Sequence, residues 1–173
     1  MRYFNVVLIL FVVLSACAQA PESRPTIQSE KFDQRLTRLL SFSVPVIGVE
    51  QLAKEKDEYI ILDAREQAEY AVSHIEGARY LGYDKIDETA LADLDKNTPI
   101  VLYCSVGYRS EKIWEKLKSQ GFTNVKNLYG SIFEWINQGH PVVDNAGYPT
   151  TKIHTYNKKW SKWVEEGKAD KVW

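Results

Sequence analysis

Two short apolar runs constrain the fold of this chain more than any other feature of its sequence. Residues 59–63 (YIILD) and 99–103 (PIVLY) are each long enough for one strand and are apolar at most positions. Such runs are typical of strands buried on both faces, as in a parallel sheet. Because segments with helical spacing alternate with them, we expect an α/β domain with a central, mostly parallel β-sheet flanked by helices on both faces.

The same alternation continues in both directions and predicts a domain over residues 44–143. The predicted strands are 44–49, 59–63, 78–81, 99–103 and 125–129, and the predicted helices are 50–56, 65–73, 87–95, 110–120 and 132–138. With 173 residues, 45% of them hydrophobic, the chain is long enough for one such domain with an extension at each end. A net charge of -1 gives no indication of a nucleic-acid partner.

The first residues, 1–16, are predicted to be a bacterial lipoprotein signal peptide. An apolar run at residues 6–14 is too short to span a bilayer, and the stretch that ends at Cys17 (LSAC) resembles a lipobox, in which the cysteine receives lipid. The alternatives are an ordinary cleaved signal or a short anchor in which Cys17 is incidental. We expect Cys17 to be lipidated and the domain to be exported, anchored to a bacterial membrane and facing the periplasm. Ala18, in place of an aspartate, favours the outer membrane.

Two further segments flank the predicted domain. Residues 17–43 are expected to form a lipid-anchored tether with a short helix over 30–41. Residues 144–173 form an extension rich in aromatic residues and lysine, in which Trp160 and Trp163 lie three apart on a predicted helix. We expect both rings to pack this helix onto the domain. Contact with a partner or a lipid headgroup layer is the alternative.

Cys104 is the strongest candidate for a catalytic residue. It follows the predicted strand 99–103, and ligands of open parallel sheets bind at the carboxyl ends of the strands. Gly107 permits a loop whose N–H groups turn inward, Arg109 adds a permanent charge, and the following helix adds the positive end of its dipole. We therefore predict a pKa for Cys104 below its reference value of about 8.5. A buried structural cysteine, the alternative, has no need of these neighbours.

Three stretches of the sequence together resemble a single-domain rhodanese, which is a sulfurtransferase. They are residues 62–70 (LDAREQAEY) with 74–78 (HIEGA), the loop 104–110 (CSVGYRS), and residues 127–135 (NLYGSIFEW). They are similar, in that order, to the rhodanese D-x-R-x-x-x-E-[FY] and H-I-x-G-A signatures, the catalytic loop, and the closing L-x-G-G-x-x-x-W segment. Ser131 replaces the second glycine of that last segment. The resemblance covers residues 44–143 and implies the rhodanese-like fold.

The resemblance also implies a double displacement. The Cys104 thiolate would take sulfur from thiosulfate or from a persulfide or polysulfide, and the resulting persulfide would pass it to a thiol or cyanide-like acceptor. The loop that binds the persulfide would consist of Ser105, Val106, Gly107, Tyr108, Arg109 and Ser110. The mechanism requires no metal and no organic cofactor, and we expect a monomer.

Two other functions stay open. A non-catalytic rhodanese-like module would bind a partner through the same pocket, although Cys104 and Arg109 are both present and favour an enzyme. A phosphatase or arsenate-reductase type of enzyme is disfavoured, because the related cell-cycle phosphatases have five residues between cysteine and arginine and this chain has four, Ser105 to Tyr108. Ser105 also stands where many thiosulfate-using rhodaneses have a basic residue, which leaves the donor open.

The remaining polar residues of the first stretch are predicted to support the fold. Arg65 and Glu69 are spaced as an i,i+4 pair on a helix, and Asp63 is placed to accept hydrogen bonds from turn amides. A position of Arg65 near the pocket mouth is the alternative. His74 is predicted to be structural, and no histidine of the chain lies at metal-ligand spacing.

Overall fold

The computed structural model describes residues 23–173, so the predicted signal peptide and Cys17 lie outside the described residues. Within the described part, no helix is long and apolar enough to cross a membrane. The α-helices there are α1 (Glu30–Leu39), α2 (Val49–Lys54), α3 (Gln67–Val72), α4 (Tyr108–Ser119) and α5 (Ser131–Asn137). The strands are β1 (Val46–Ile47), β2 (Ile60–Asp63), β3 (Arg79–Tyr80), β4 (Ile100–Tyr103), β5 (Val125–Leu128), β6 (Val142–Val143), β7 (Pro149–Thr150), β8 (Lys152–His154) and β9 (Asp170–Val172). Short 3-10 helices span Lys56–Glu58, Glu88–Leu91 and Ser161–Trp163.

Five strands form one parallel sheet in the order β1-β5-β4-β2-β3. The central strand β4 is completely buried, as its continuous apolar sequence predicted. Its residue Leu102 pairs with Leu62 of β2 and with Asn127 of β5. The parallel sheet is therefore confirmed, and the residues that follow β4 and β5 emerge side by side at its carboxyl edge.

Alternate residues of the strands point to opposite faces of the sheet, and each face carries its own core. Ile61 and Val101 belong to the core that includes side chains of α1, α2 and α5, whereas Leu62 and Leu102 belong to the core that includes side chains of α4. Period-two alternation along each strand produces this division. The predicted arrangement, with helices on both faces, is confirmed.

The observed elements differ from the predicted ones mainly at their ends. The helix predicted over 65–73 starts only at Gln67, because the Arg65 N–H donates to Asp63 Oδ1 at 2.9 Å and closes a turn before it. The segment predicted as a helix over 87–95 forms only the 3-10 turn Glu88–Leu91. Helix α4 begins two residues earlier than predicted, because Gly107 caps it with φ at +107°.

Both terminal segments pack against the sheet domain. The Trp163 ring stacks on Phe32 of α1 with centroids 5.3 Å apart. Asn137, at the end of α5, donates to the Trp163 carbonyl and accepts from the Glu165 N–H, both at 2.9 Å. The prediction that Trp160 and Trp163 pack their segment onto the domain is confirmed, but the predicted helix is a single 3-10 turn.

Candidate active site

Cys104 follows β4 directly and is fixed there by Ser131. The Cys104 N–H donates to Ser131 Oγ at 3.1 Å, and this hydroxyl donates in turn to the Leu128 carbonyl at 3.2 Å. Ser131 has φ at +54°, in the left-handed region that favours glycine. The serine that replaces a glycine of the rhodanese pattern therefore keeps the glycine-like backbone and adds a side chain that orients the cysteine.

Gly107 closes the loop around the sulfur atom. Its backbone has φ at +107°, a conformation that residues with a side chain rarely adopt, and its N–H donates to Cys104 Sγ at 3.1 Å. Asn127 of β5 holds this turn from behind, because its Nδ2 donates to the Gly107 carbonyl at 2.9 Å and its Oδ1 accepts from Ser110 Oγ at 2.8 Å. The sequence indicated Asn127 only as part of a strand and as the first residue of the stretch 127–135; its signal was a polar residue in a largely buried strand.

The surroundings of the sulfur atom lower the pKa of Cys104. Burial by itself would raise this pKa, because the residue is only 1% exposed and a thiolate loses its hydration there. The positive charge of Arg109 and the N–H groups of Ser110, Val106 and Gly107 act in the opposite direction and prevail. The direction of the shift is the one predicted from the sequence, and Cys104 is the free cysteine of the described part of the chain.

Glu69 of α3 binds Arg109. Arg109 Nη1 donates to Glu69 Oε2 at 2.6 Å and Nη2 donates to Oε1 at 2.7 Å, which is the bidentate geometry of a strong ion pair. Ser105 Oγ completes the group, donating to Glu69 Oε1 at 3.2 Å and accepting from Arg109 Nη2 at 3.0 Å. Burial would raise the pKa of Glu69, but Arg109 holds it below its ordinary value. The predicted helical pair of Arg65 with Glu69 is wrong, because the partner of Glu69 lies 40 residues further along the chain.

Arg65 lies within the scaffold and does not reach the pocket mouth. It is completely buried, its Nη2 donates to Asp63 Oδ2 at 2.6 Å, and the same nitrogen donates to the Ser73 carbonyl. Both side chains of the Arg65–Asp63 ion pair are 0% exposed, and the hydrogen bond from Arg65 to Ser73 joins the end of β2 to the residue after α3. The alternative placement near the pocket is thereby corrected, and the expected structural role is the one observed.

A cleft of about 310 Å³ opens above Cys104. Five residues of the predicted loop line it, namely Cys104, Ser105, Val106, Tyr108 and Arg109. Gly107 and Ser110 do not line the cleft: the Gly107 N–H donates to the sulfur, and the Ser110 hydroxyl donates to Asn127. The other lining residues are Leu39, Tyr83, Tyr156 and Trp160, none of which the sequence indicated as part of the site.

The chain matches a known family over most of the sheet domain. Residues 49–138 match the family model of the rhodanese-like domain. The chain belongs to this family. Thiosulfate sulfurtransferase GlpE of Coxiella burnetii is 34% identical over 94 residues, which are 54% of this chain and 85% of that protein. A protein named sulfurtransferase from Allochromatium vinosum is 30% identical over 100 residues, which are 58% of this chain and 92% of that one.

The fold agrees with the same assignment. The rhodanese-like domain of an Anabaena protein superposes with a TM-score of 0.54 at 25% identity, covering 58% of this chain and 79% of that chain. The family predicted from the three sequence stretches is confirmed. The Cys104 loop and Glu69 lie inside the matched rhodanese-like region, whereas Leu39, Tyr156 and Trp160 lie outside residues 49–138. Part of the cleft wall of this rhodanese-like domain is therefore supplied by its extensions.

The histidines contribute to packing. His74 is 7% exposed, its Nδ1 lies 3.1 Å from the Tyr70 carbonyl oxygen, and its ring stacks on Tyr70 with centroids 3.8 Å apart. His154 Nδ1 accepts from the Tyr156 N–H at 3.1 Å and so helps to position a residue of the cleft wall. Across residues 23–173, no group of three or more acidic, histidine or cysteine side chains is arranged to hold a metal ion.

Proposed function

We propose that this chain is a sulfurtransferase that carries sulfane sulfur on Cys104 from a donor to a thiophilic acceptor. The observation that supports it most directly is the cysteine itself, which lies in an open cleft with the Gly107 N–H 3.1 Å from its sulfur and Arg109 lowering its pKa. A low pKa provides the thiolate, which is the nucleophilic form of cysteine. Membership of the rhodanese-like family makes sulfur transfer the chemistry to expect of such a thiolate.

In the first half-reaction the Cys104 thiolate attacks the outer sulfur of the donor. A new S–S bond forms, the S–S bond of the donor breaks, and its electron pair leaves with the rest of the donor. With thiosulfate that leaving group is sulfite. The negative charge of the new persulfide falls on its outer sulfur, where N–H groups of the loop can stabilise it as they would an oxyanion.

In the second half-reaction the acceptor attacks the outer sulfur of the persulfide. The bond between the two sulfur atoms breaks, and Cys104 leaves as a thiolate. Because a thiol of low pKa is a better leaving group, the contacts that make Cys104 a ready nucleophile also ease its release. Ser131 and Asn127, which fix the loop from behind, keep those contacts in place through both steps.

The ionic contacts of the loop also support the enzyme over the alternatives. A module that only binds a partner has no need of a buried cysteine with a lowered pKa, or of the bidentate pair that positions Arg109. The phosphatase alternative requires a wider loop than the four residues between Cys104 and Arg109.

The test is to incubate the purified full chain with sulfur donors and to measure its intact mass by mass spectrometry. We expect incubation with thiosulfate, or with an organic persulfide or thiosulfonate, to add one sulfur atom to Cys104 in the intact mass, and cyanide to remove it as thiocyanate. Cys104→Ser should abolish both, with circular dichroism unchanged, because the hydroxyl fits the same site. The absence of added sulfur with every donor would leave the binding module as the better proposal. Release of phosphate from an aryl phosphate by the wild type alone would favour the phosphatase.

We further propose that Cys17 carries lipid and that the domain works outside the cytoplasm, on a membrane. The support is the LSAC stretch that ends at Cys17 and the apolar run before it. Several acyl chains would hold the protein durably, where one would bind only marginally. Cys17→Ser should move the protein from the membrane fraction to the soluble fraction. An unchanged distribution would contradict lipidation.

A further inference from the structure

The wall of the cleft above Cys104 is largely aromatic and comes from distant parts of the chain. Helix α1 supplies Leu39, and the segment after β8 supplies Tyr156 and Trp160. Tyr83 and Tyr108 add two more rings from the sheet domain. A wall of this kind favours binding of a ligand whose apolar surface it removes from water. An inorganic anion has no such surface.

The charged side chains at the floor of the cleft and directly beneath it sum to a net negative charge when Cys104 is a thiolate. Arg109 is the one cationic side chain that lines this cleft among residues 23–173, and Glu69 binds both of its terminal nitrogens. Cys104, Arg109 and Glu69 contribute -1, +1 and -1, which leaves -1 in all. Thiosulfate would bring two further negative charges to this place. A donor with less charge at its reactive end avoids that repulsion.

Cationic side chains lie instead next to the cleft, around a second groove that Trp160 also lines. This residue lines both the cleft and a neighbouring groove of about 200 Å³, whose other lining residues are Arg35, Lys159, Lys162 and Trp163. The Arg35 guanidinium lies 5.4 Å from the Trp160 ring centre. Within the described part of the chain, none of these three cations has a carboxylate partner within 4.0 Å. They are free to meet an anionic group of a ligand.

The geometry points to a low-molecular-weight organic persulfide as the donor, with an apolar body and a carboxylate at its far end. This inference rests on the proposed sulfurtransferase function. The outer sulfur would reach Cys104, the body would lie against Tyr156 and Trp160, and the carboxylate would meet Arg35 and the two lysines. The Cys104 thiolate and R–S–SH would then give the Cys104 persulfide and R–S⁻, with the electron pair of the broken S–S bond leaving on R–S⁻.

Stable thiosulfonates allow the body and the charge of the donor to be tested separately. Methanethiosulfonate and benzenethiosulfonate each carry one negative charge and differ in the ring, and 4-carboxybenzenethiosulfonate adds the distal carboxylate. We expect wild-type kcat/KM to rise by about tenfold from the methyl to the phenyl donor, the scale set by burying a ring. It should rise again with the carboxylate, and thiosulfate should be the poorest donor. Equal values for the methyl and phenyl donors would overturn the inference.

Variants assign the effect of the donor's ring to the wall and the effect of its carboxylate to Arg35. Trp160→Ala and, separately, Tyr156→Asn should each bring the phenyl-to-methyl ratio of kcat/KM towards one; asparagine suits the Tyr156 backbone, with φ at +64°. Arg35→Gln should remove the advantage of the carboxylate and leave the phenyl-to-methyl ratio. Two controls lie outside both pockets, Trp173→Ala for the ring and Arg38→Gln on the same helix for the charge, and should match the wild type.

The proposed function and the persulfide inference would fail in different ways. If no donor adds sulfur to Cys104, the proposed function itself is wrong. If every donor adds sulfur, but the ratios in Trp160→Ala and Tyr156→Asn equal those of the wild type, the enzyme stands and the persulfide inference is wrong. Because Tyr156 is 54% exposed, its substitution removes little packing and gives an answer even if Trp160→Ala fails to fold.

Discussion

The loop that holds Cys104 and the wall that faces it are fixed in different ways. The loop is buried and tied by polar contacts from three directions, through Ser131, Asn127 and the Arg109–Glu69 pair. The wall consists mainly of partly exposed rings from both the sheet domain and the terminal segments. The segment that carries Trp160 is held by the stack of Trp163 on Phe32 and by two hydrogen bonds of Asn137. Directional contacts suit a site that must place a sulfur atom, and apolar packing suits one that must accept a ligand body.

Under the proposed sulfurtransferase function, this difference implies that chemistry and donor choice can be changed separately. A change in the loop should alter transfer from every donor, because all donors react at the same thiolate. A change in the wall that does not touch Arg109, as at Trp163, should alter donors according to their apolar surface and leave the reactivity of Cys104 itself unchanged. Tyr156 does not meet this condition, because its ring centre lies 5.3 Å from the Arg109 guanidinium. Substitutions at Arg109 and Trp163 test this separation, and substitutions at Ser131 test how the loop is fixed.

Arg109→Gln should have the largest effect, and it should act on all donors alike. Loss of the charge raises the pKa of Cys104, so the thiolate fraction at a fixed pH falls, by at most about tenfold for a rise of one in the pKa. When the rate of Cys104 alkylation by iodoacetamide is measured as a function of pH, its midpoint should move to a higher pH. The variant also leaves Glu69, 2% exposed, without its partner, at a cost of about 3–5 kcal/mol in the free energy of unfolding.

Arg109→Lys is the matched variant, because it keeps the charge and loses the bidentate geometry. It should keep the alkylation midpoint near the wild-type value and remain folded under the assay conditions even if Arg109→Gln does not. A midpoint that stays in place in Arg109→Gln would mean that the amides of the loop alone set the pKa of Cys104.

The sequence carried most of the information about the loop and little about the wall. The strand, Cys104, Gly107 and Arg109 lie within one short stretch, so local rules on strands, glycine and helix starts were sufficient there. Glu69 was assigned to Arg65 because spacing along a helix reveals only local partners, and its true partner is on another helix. The wall depends on where the terminal segments fold back, which no pattern within those segments specifies.

Trp163→Ala should have an intermediate effect confined to the wall. It removes the stack on Phe32 and should cost about 2–3 kcal/mol in the free energy of unfolding, less than a fully buried tryptophan because the ring is only partly buried. The segment that carries Trp160 should loosen, so KM for benzenethiosulfonate should rise while the alkylation rate of Cys104 stays at the wild-type value. A parallel fall in alkylation would show that the wall also supports the loop, and the separation would be lost.

Ser131→Gly should have the smallest effect and tests what the serine adds to the loop. Glycine relieves the φ of +54° but removes the acceptor of the Cys104 N–H, so we expect a loss of about 1 kcal/mol in the free energy of unfolding. Ser131→Ala keeps the unfavourable backbone and also loses the acceptor, and should cost about 2 kcal/mol. Urea unfolding of both variants checks the order. If alanine were the milder change, the left-handed backbone would not be costly here, and the serine would matter only through its hydroxyl.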